Sequence, residues 1–198
     1  MKIVAFVLEE KMRTKGFITS KEIKKRNLSF RQINALCQNG SLIKIKSGLY
    51  RNAEMFLNNQ SFIDVCTAIP SGIISRFSAL AYYNLTTFVP QYVYVDVAKI
   101  GHKRKILYPP TKQYQVDENK LKNNVIKVKE GKYSFRIYEI EKVVCDAVKF
   151  RNQIGFDITK EVIKEYMKRK DNNLPKLYKI AKKNKVFKKL NEILSIMS

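Results

Sequence analysis

The sequence has no tryptophan, one histidine, three cysteines, and fewer than half as many acidic as basic residues. A single histidine rules out the paired-histidine metalloprotease motif, and His102 lies in Gly101-His-Lys-Arg-Lys105 with no evident partner, which reads as a solvated loop rather than a catalytic dyad. Cys37, Cys66 and Cys145 are far apart with no C-x-x-C pair, so reduced buried thiols are expected in place of a disulfide framework or a zinc site. Glycine-rich phosphate loops of the Walker or dinucleotide kind are absent. Apolar runs stop well short of the roughly 18 residues that a membrane span needs, and the chain does not open like a signal peptide. These absences predict a soluble, cytoplasmic protein with no membrane association, no cofactor and no metal.

What is abundant is positive charge. Lysine and arginine number 39 against 17 aspartates and glutamates, a formal net charge of +22 in 198 residues. A field of that sign favours polyanions through counterion release. The excess is spread along the chain: residues 1–60 carry a net +8, residues 61–159 a net +6 and residues 160–198 a net +8. Charge therefore points to nucleic acid without locating a face. The hydrophobic fraction of 45% is enough for a substantial core, and neither repeats nor low-complexity tracts interrupt it.

The N-terminal pattern is more specific. From Lys2 to Lys15, Val4, Val7, Leu8 and Met12 share one helical stripe that Gly16 ends. Thr19-Ser-Lys-Glu22 reads as a capping box opening a second helix that runs to about Arg26. Ser29-Phe-Arg-Gln32 repeats the signature and opens a third helix stopping near Gly40. On that helix Ile33, Leu36 and Cys37 face inward, while Arg31, Asn34, Ala35 and Gln38 face outward. Arginine, asparagine and glutamine are the side chains that read guanine and adenine edges bidentately, and a small Ala35 permits close approach to a major groove. Gln32 has two candidate tasks, capping and base reading. Leu42 to Lys46, a Ser47-Gly48 turn and Leu49 to Arg51 form a hairpin whose Lys44, Lys46 and Arg51, together with Ser29 at the helix start, are expected to touch phosphate. Two capped helices followed by a basic hairpin predict a winged helix-turn-helix.

Residues 52–60 read as a connector packing Met55 to Leu57, followed by a helix over Ser61 to about Ile69 and another that Ser75 caps. Strands are expected at Tyr92–Val97, Val125–Val128 and Tyr133–Tyr138, pairing in one mixed or antiparallel sheet. Helical spacing returns at Glu139–Arg151, after Thr159 as a cap, after Pro175, and from Phe187 to Met197. The expected fold class is α+β: a winged helix-turn-helix DNA-binding domain over 1–54, then over 60–198 a mixed α/β domain with a small sheet and a C-terminal helical bundle.

An enzymatic alternative rests on Asp96, on its expected strand, and Glu118-Asn-Lys120. This loose acid, acid-x-Lys order could serve a metal-dependent nuclease carrying a winged-helix module, although acid-x-Lys recurs by chance in so lysine-rich a chain. Glu139, Glu141 and Asp146 read as helix-dipole and ion-pair residues, with Asp146 opposite Lys142 at i, i+4. The balance favours a non-enzymatic DNA-binding protein with no catalytic residues.

The order of these features resembles the AbiEi family of bacterial antitoxins. The resemblance rests on Gly16-Phe-Ile-Thr19, Asn39-Gly40-Ser-Leu42 and Ser47-Gly48-Leu49-Tyr50 at the N-terminus. Further on it rests on Pro70-Ser-Gly-Ile-Ile-Ser75-Arg-Phe-Ser78-Ala79-Leu80-Ala81-Tyr82-Tyr83-Asn-Leu85-Thr86 before Pro90, and on Glu139-Ile-Glu141-Lys142-Val-Val-Cys145-Asp146. Lys142 departs from the pattern, where arginine is expected more often. The resemblance implies the antitoxin of a type IV toxin–antitoxin pair of the abortive-infection kind. Such a protein represses its own operon by binding double-stranded DNA at inverted repeats of its promoter, and counters a nucleotidyltransferase-type toxin without requiring a stable complex with it.

Overall fold

The computed structural model describes residues 16–25, 27, 29–99 and 104–197. The helix expected over 2–15 and the histidine at 102 lie outside the described residues. The described residues begin with β1 (Phe17–Thr19), α1 (Ser20–Lys25) and α2 (Phe30–Gln38), then the hairpin β2 (Leu42–Lys46) and β3 (Leu49–Asn52). Strand β3 lies between the other two in a three-stranded antiparallel sheet, order β1-β3-β2. Strand β1, three residues long, is an addition to the elements expected from sequence. This arrangement is compatible with a winged helix.

Both expected capping boxes form. Thr19 N–H donates to Glu22 Oε2 at 2.9 Å, while Glu22 N–H returns to Thr19 Oγ1 at 3.4 Å. Ser29 N–H donates to Gln32 Oε1 at 2.9 Å and Gln32 N–H to Ser29 Oγ at 3.3 Å. Each pair satisfies donors that a helix start otherwise leaves open. Helix α2 ends at Asn39, with Gly40 at φ +80°. Gly48 turns the hairpin at φ +75°, where a Cβ would also strike the Ser20 hydroxyl at 2.6 Å.

The remainder is mixed α/β. A five-stranded sheet runs β6 (Thr111–Val116), β5 (Val93–Ala98), β4 (Ile73–Ile74), β8 (Tyr133–Tyr138), β7 (Val125–Glu130). It is mixed: β5–β6 and β4–β8 are parallel, β4–β5 and β7–β8 antiparallel. Helices α3 (Gln60–Ala68), α4 (Arg76–Tyr82) and α5 (Glu118–Leu121) are inserted between strands. A C-terminal group follows: α6 (Ile140–Lys149), α7 (Arg151–Ile154), α8 (Phe156–Lys168), α9 (Leu174–Lys183) and α10 (Phe187–Met197). Helix α6 packs against α4, α8, α9 and α10, with Val143, Val144, Cys145, Ala147 and Val148 buried.

Two starts differ from expectation. Ser75 precedes α4 but does not cap it; its hydroxyl donates to buried Asp96 at 2.8 Å. Thr159 lies inside α8, which starts at Phe156, and bonds back to the Gly155 carbonyl at 2.8 Å, as buried helical threonines do.

The buried side chains form two clusters. The smaller joins Ile18, Ile23, Ile33, Leu36, Leu42 and Tyr50; the larger runs from Ile45 and Leu49 to Ile193. Strand β3 therefore serves both: Tyr50 points toward α1 and α2, and Leu49, on the opposite face by strand alternation, joins the larger core.

Candidate nucleic-acid interface

The amphipathic order of α2 decides which of its side chains reach solvent. Ile33 and Leu36 are buried, and Arg31, Asn34, Ala35 and Gln38 are all exposed, so the four residues expected to read bases share one accessible surface. Phe30, the first residue of α2, is 74% exposed, an apolar neighbour to this face that the sequence reading passed over. Gln32 is occupied by the cap. Ser29 is exposed, with its hydroxyl engaged by Gln32 on both sides: it donates to Oε1 at 3.0 Å and accepts from the amide.

The hairpin departs from the expected row of phosphate contacts. Lys44 is exposed on the side of β2 that pairs with Tyr50, near enough to α2 for its charge to act on the Cys37 thiol, whose pKa burial raises. Lys46 does not follow it. The register shifts between Lys44 and Lys46, so that Lys46 pairs with Leu49 rather than continuing the alternation. Such a bulge re-aims one side chain across the sheet. The Lys46 ammonium donates to the Ala68 carbonyl at 2.8 Å, and burial together with the nearby Arg104 charge lowers its pKa. Arg104 approaches the same carbonyl at 3.5 Å. Two cations thus meet the C-terminal end of α3, where the helix dipole favours them.

Arg51 is the clearest correction. It is 5% exposed, and its Nε lies 3.1 Å from both carboxylate oxygens of fully buried Asp64. Its Nη1 donates to the carbonyls of Asn52 at 3.2 Å and Met55 at 3.1 Å, and Gln60 Nε2 donates to Asp64 at 2.7 Å. Arg51 follows Leu49 by two residues and so faces the larger core; a guanidinium held there cannot reach phosphate. Burial raises the Asp64 carboxyl above its ordinary value even against the pull of Arg51.

The residues of the enzymatic alternative are not gathered. Asp96 is buried, accepting from Ser75 and, at 3.3 Å, from the Tyr138 hydroxyl, with Arg76 Nε 3.8 Å away. Glu118 is exposed and paired with Lys122 at 2.7 Å, outside the cavity that Asp96 and Lys120 line. Among the described residues no group of three or more potential metal-ligating side chains comes together. The carboxylates expected to be structural have protein partners: Glu139 and Glu141 lie 3.3 and 3.2 Å from Lys176 Nζ, and Asp146 binds Lys142. No helix among the described residues is long and apolar enough to cross a membrane.

Comparison with known proteins finds a similarity over the same N-terminal stretch. No curated protein matches the chain. A family model described as "Transcriptional regulator, AbiEi antitoxin" matches residues 6–53, the stretch that carries α2 and the hairpin. Over that stretch, about a quarter of the chain, the protein is similar to the AbiEi antitoxin transcriptional regulators, and the match supports an antitoxin and regulator role.

Proposed function

We propose that the chain is the antitoxin of a type IV toxin–antitoxin pair and the autorepressor of its own operon. In this reading residues 1–54 act as a winged helix-turn-helix with α2 in the major groove. Arg31, Asn34 and Gln38 read base edges, Ala35 allows close approach, and exposed Phe30 offers an apolar surface to a thymine methyl. Lys44, with Lys21, Lys24 and Lys25 of α1, supplies phosphate contacts. The observation that carries the reading is the exposed Arg31–Asn34–Ala35–Gln38 face on a capped helix, inside the stretch that matches a family of transcriptional regulators. The protein acts in the cytoplasm, catalyses no reaction of its own, and counters a nucleotidyltransferase-type toxin without requiring a stable complex.

Binding to the inverted repeats of its own promoter, compared with scrambled duplex across a salt series, tests the DNA half. Preference for the promoter at every salt concentration is expected, and equal affinity throughout would overturn it, because phosphate contacts alone carry no sequence information. Co-expression with a nucleotidyltransferase-type toxin from the same operon tests the antitoxin half: rescue of growth is expected, and the absence of such a toxin or unrelieved toxicity would refute neutralisation.

A further inference from the structure

Away from α2, a cavity of about 540 Å³ opens between the sheet and the C-terminal helices, within the size range of small-ligand sites. Its lining holds seven cations and two carboxylates. Both carboxylates already have protein partners: Asp96 accepts from Ser75 and Tyr138, and Asp146 is bound by Lys142. The cations beyond these contacts are Lys120 from α5, Lys149 from α6, Lys183 and Lys185 where α9 ends, and Lys189 from α10. All five are exposed, and none has a carboxylate within ion-pair distance among the described residues. Lys120, Lys149 and Lys183 each lie in the last turn of their own helix, α5, α6 and α9, where the helix dipole favours a cation. Dipole compensation places each lysine singly and does not account for three helix ends meeting at one opening.

Arg76 completes the site. It is in the left-handed region at φ +49°, a conformation that non-glycine residues adopt at a cost. Its guanidinium carbon lies 3.8 Å from the Tyr114 ring centroid and 4.4 Å from that of Phe150, and its buried Nε, 3.8 Å from the Asp96 carboxylate, makes no hydrogen bond. Aromatic faces hold a guanidinium plane without consuming its N–H donors. A strained arginine clamped in this way, with a buried donor unspent and lysines around the rim, is an arrangement suited to a ligand carrying several phosphates. Phe150, half-buried in the lining, offers aromatic surface to a planar ring.

We propose that this cavity binds a nucleoside di- or triphosphate, its phosphates held by Arg76 and the lysine rim and its base against Phe150. The site is separate from the α2 surface and does not depend on the DNA-binding reading.

Titration calorimetry of the full chain with ATP and with GTP at near-physiological salt tests it. At least one is expected to bind at a single site with a Kd below about 1 mM. The double variant K149E/K185E changes only exposed side chains. It is expected to weaken that binding at least about tenfold, the loss of roughly one charge-assisted contact, with its melting temperature unchanged. Arg76→Lys keeps the charge and loses the fork, and should weaken binding too. Failure of both nucleotides to bind, or undiminished binding to K149E/K185E, overturns the proposal. So does a K149E/K185E variant that loses affinity for duplex DNA while neither nucleotide binds the unaltered protein, a result that would assign the cations to nucleic acid.

Discussion

Replacing Arg51 with alanine distinguishes a phosphate contact from a buried tie between the hairpin and the rest of the chain. Asp64 is fully buried and Arg51 nearly so, with side-chain exposures of 0% and 6%. Removing one member of such a pair strands the other, at a cost of about 3–5 kcal/mol. For a protein of this size that corresponds to a fall in melting temperature of roughly 6–20 °C. A surface arginine would cost within about 0.5 kcal/mol and would instead lower the slope of log K against log salt for DNA by about 1. The sign of the pH dependence gives a second check. The Asp64 carboxyl is raised by burial in the folded state, so folding favours its protonated form, and this residue's contribution falls as pH rises from the ordinary carboxylate value through the raised one. Without Arg51 the folded-state value rises further. The penalty of Arg51→Ala should therefore be largest near neutral pH and shrink as the solution is acidified and Asp64 is neutralised. Replacing both partners with apolar residues, R51M/D64L, should recover most of the loss, since an ion pair that burial disfavours contributes little net stability. Thermal melts from about pH 4 to 8 read all three effects. An unchanged melting temperature together with a shallower salt slope would refute the buried-tie account.

Other expectations follow from the same contacts. Arg31→Ala should relax promoter discrimination by about 1–3 kcal/mol, whereas Lys44→Ala should weaken promoter and scrambled duplex alike, which competition binding at two salt concentrations separates. Gly16 has φ +70°, and a Cβ there would overlap the Tyr133 hydroxyl and Met55 Sδ, so Gly16→Ala should destabilise by about 1–3 kcal/mol in chemical denaturation; an unchanged midpoint would contradict that contact. Burial pushes the Cys66 and Cys145 thiols up to about 11 and about 12, so iodoacetamide at pH 7 should spare them in the folded protein and alkylate them only on unfolding, as peptide mass mapping would show.

The features readable from sequence are those set by neighbours along the chain. Thr19 with Glu22, and Ser29 with Gln32, lie three residues apart, and their reciprocal bonds form as the spacing implies. The outward face of α2 follows equally from the 3.6-residue period. Strands escaped notice where that local signal was weak: β4 is two residues long, β1 three, and Thr111-Lys-Gln-Tyr-Gln-Val116 lacks the apolar alternation of a half-buried strand although it pairs in parallel along all of β5. Ser75 looked like a cap because serine commonly is one; its hydroxyl is instead taken by Asp96, twenty-one residues away. Lys46 was misplaced because alternation assumes an unbroken ladder, and nothing in Ile43-Lys-Ile-Lys46 announces a bulge. The rim of the cavity was out of reach altogether, since its lysines come from α5, α6, α9 and α10 and only the tertiary fold assembles them.

Arg51 and Lys46 also show why a net charge of +22 does not translate into a count of phosphate contacts. Strand β3 is buried on both faces, with Tyr50 against the α1–α2 core and Leu49 and Arg51 against the larger one. Any cation facing the larger core must find an internal acceptor, because an unpaired buried charge is prohibitive. Arg51 finds Asp64. Lys46 and Arg104 find the last turn of α3, and Arg136 the Pro70 carbonyl just beyond it at 2.6 Å. These cations fasten the hairpin and its surroundings to one helix, Arg51 at its middle and the others at or just beyond its last turn. Through the Leu107 amide, which donates to the Ile45 carbonyl at 2.8 Å, the segment leading to β6 is fastened to the hairpin itself. The hairpin is accordingly an internal support that orients α2, with Lys44 the cation it leaves to solvent, rather than a basic arm projecting from the molecule.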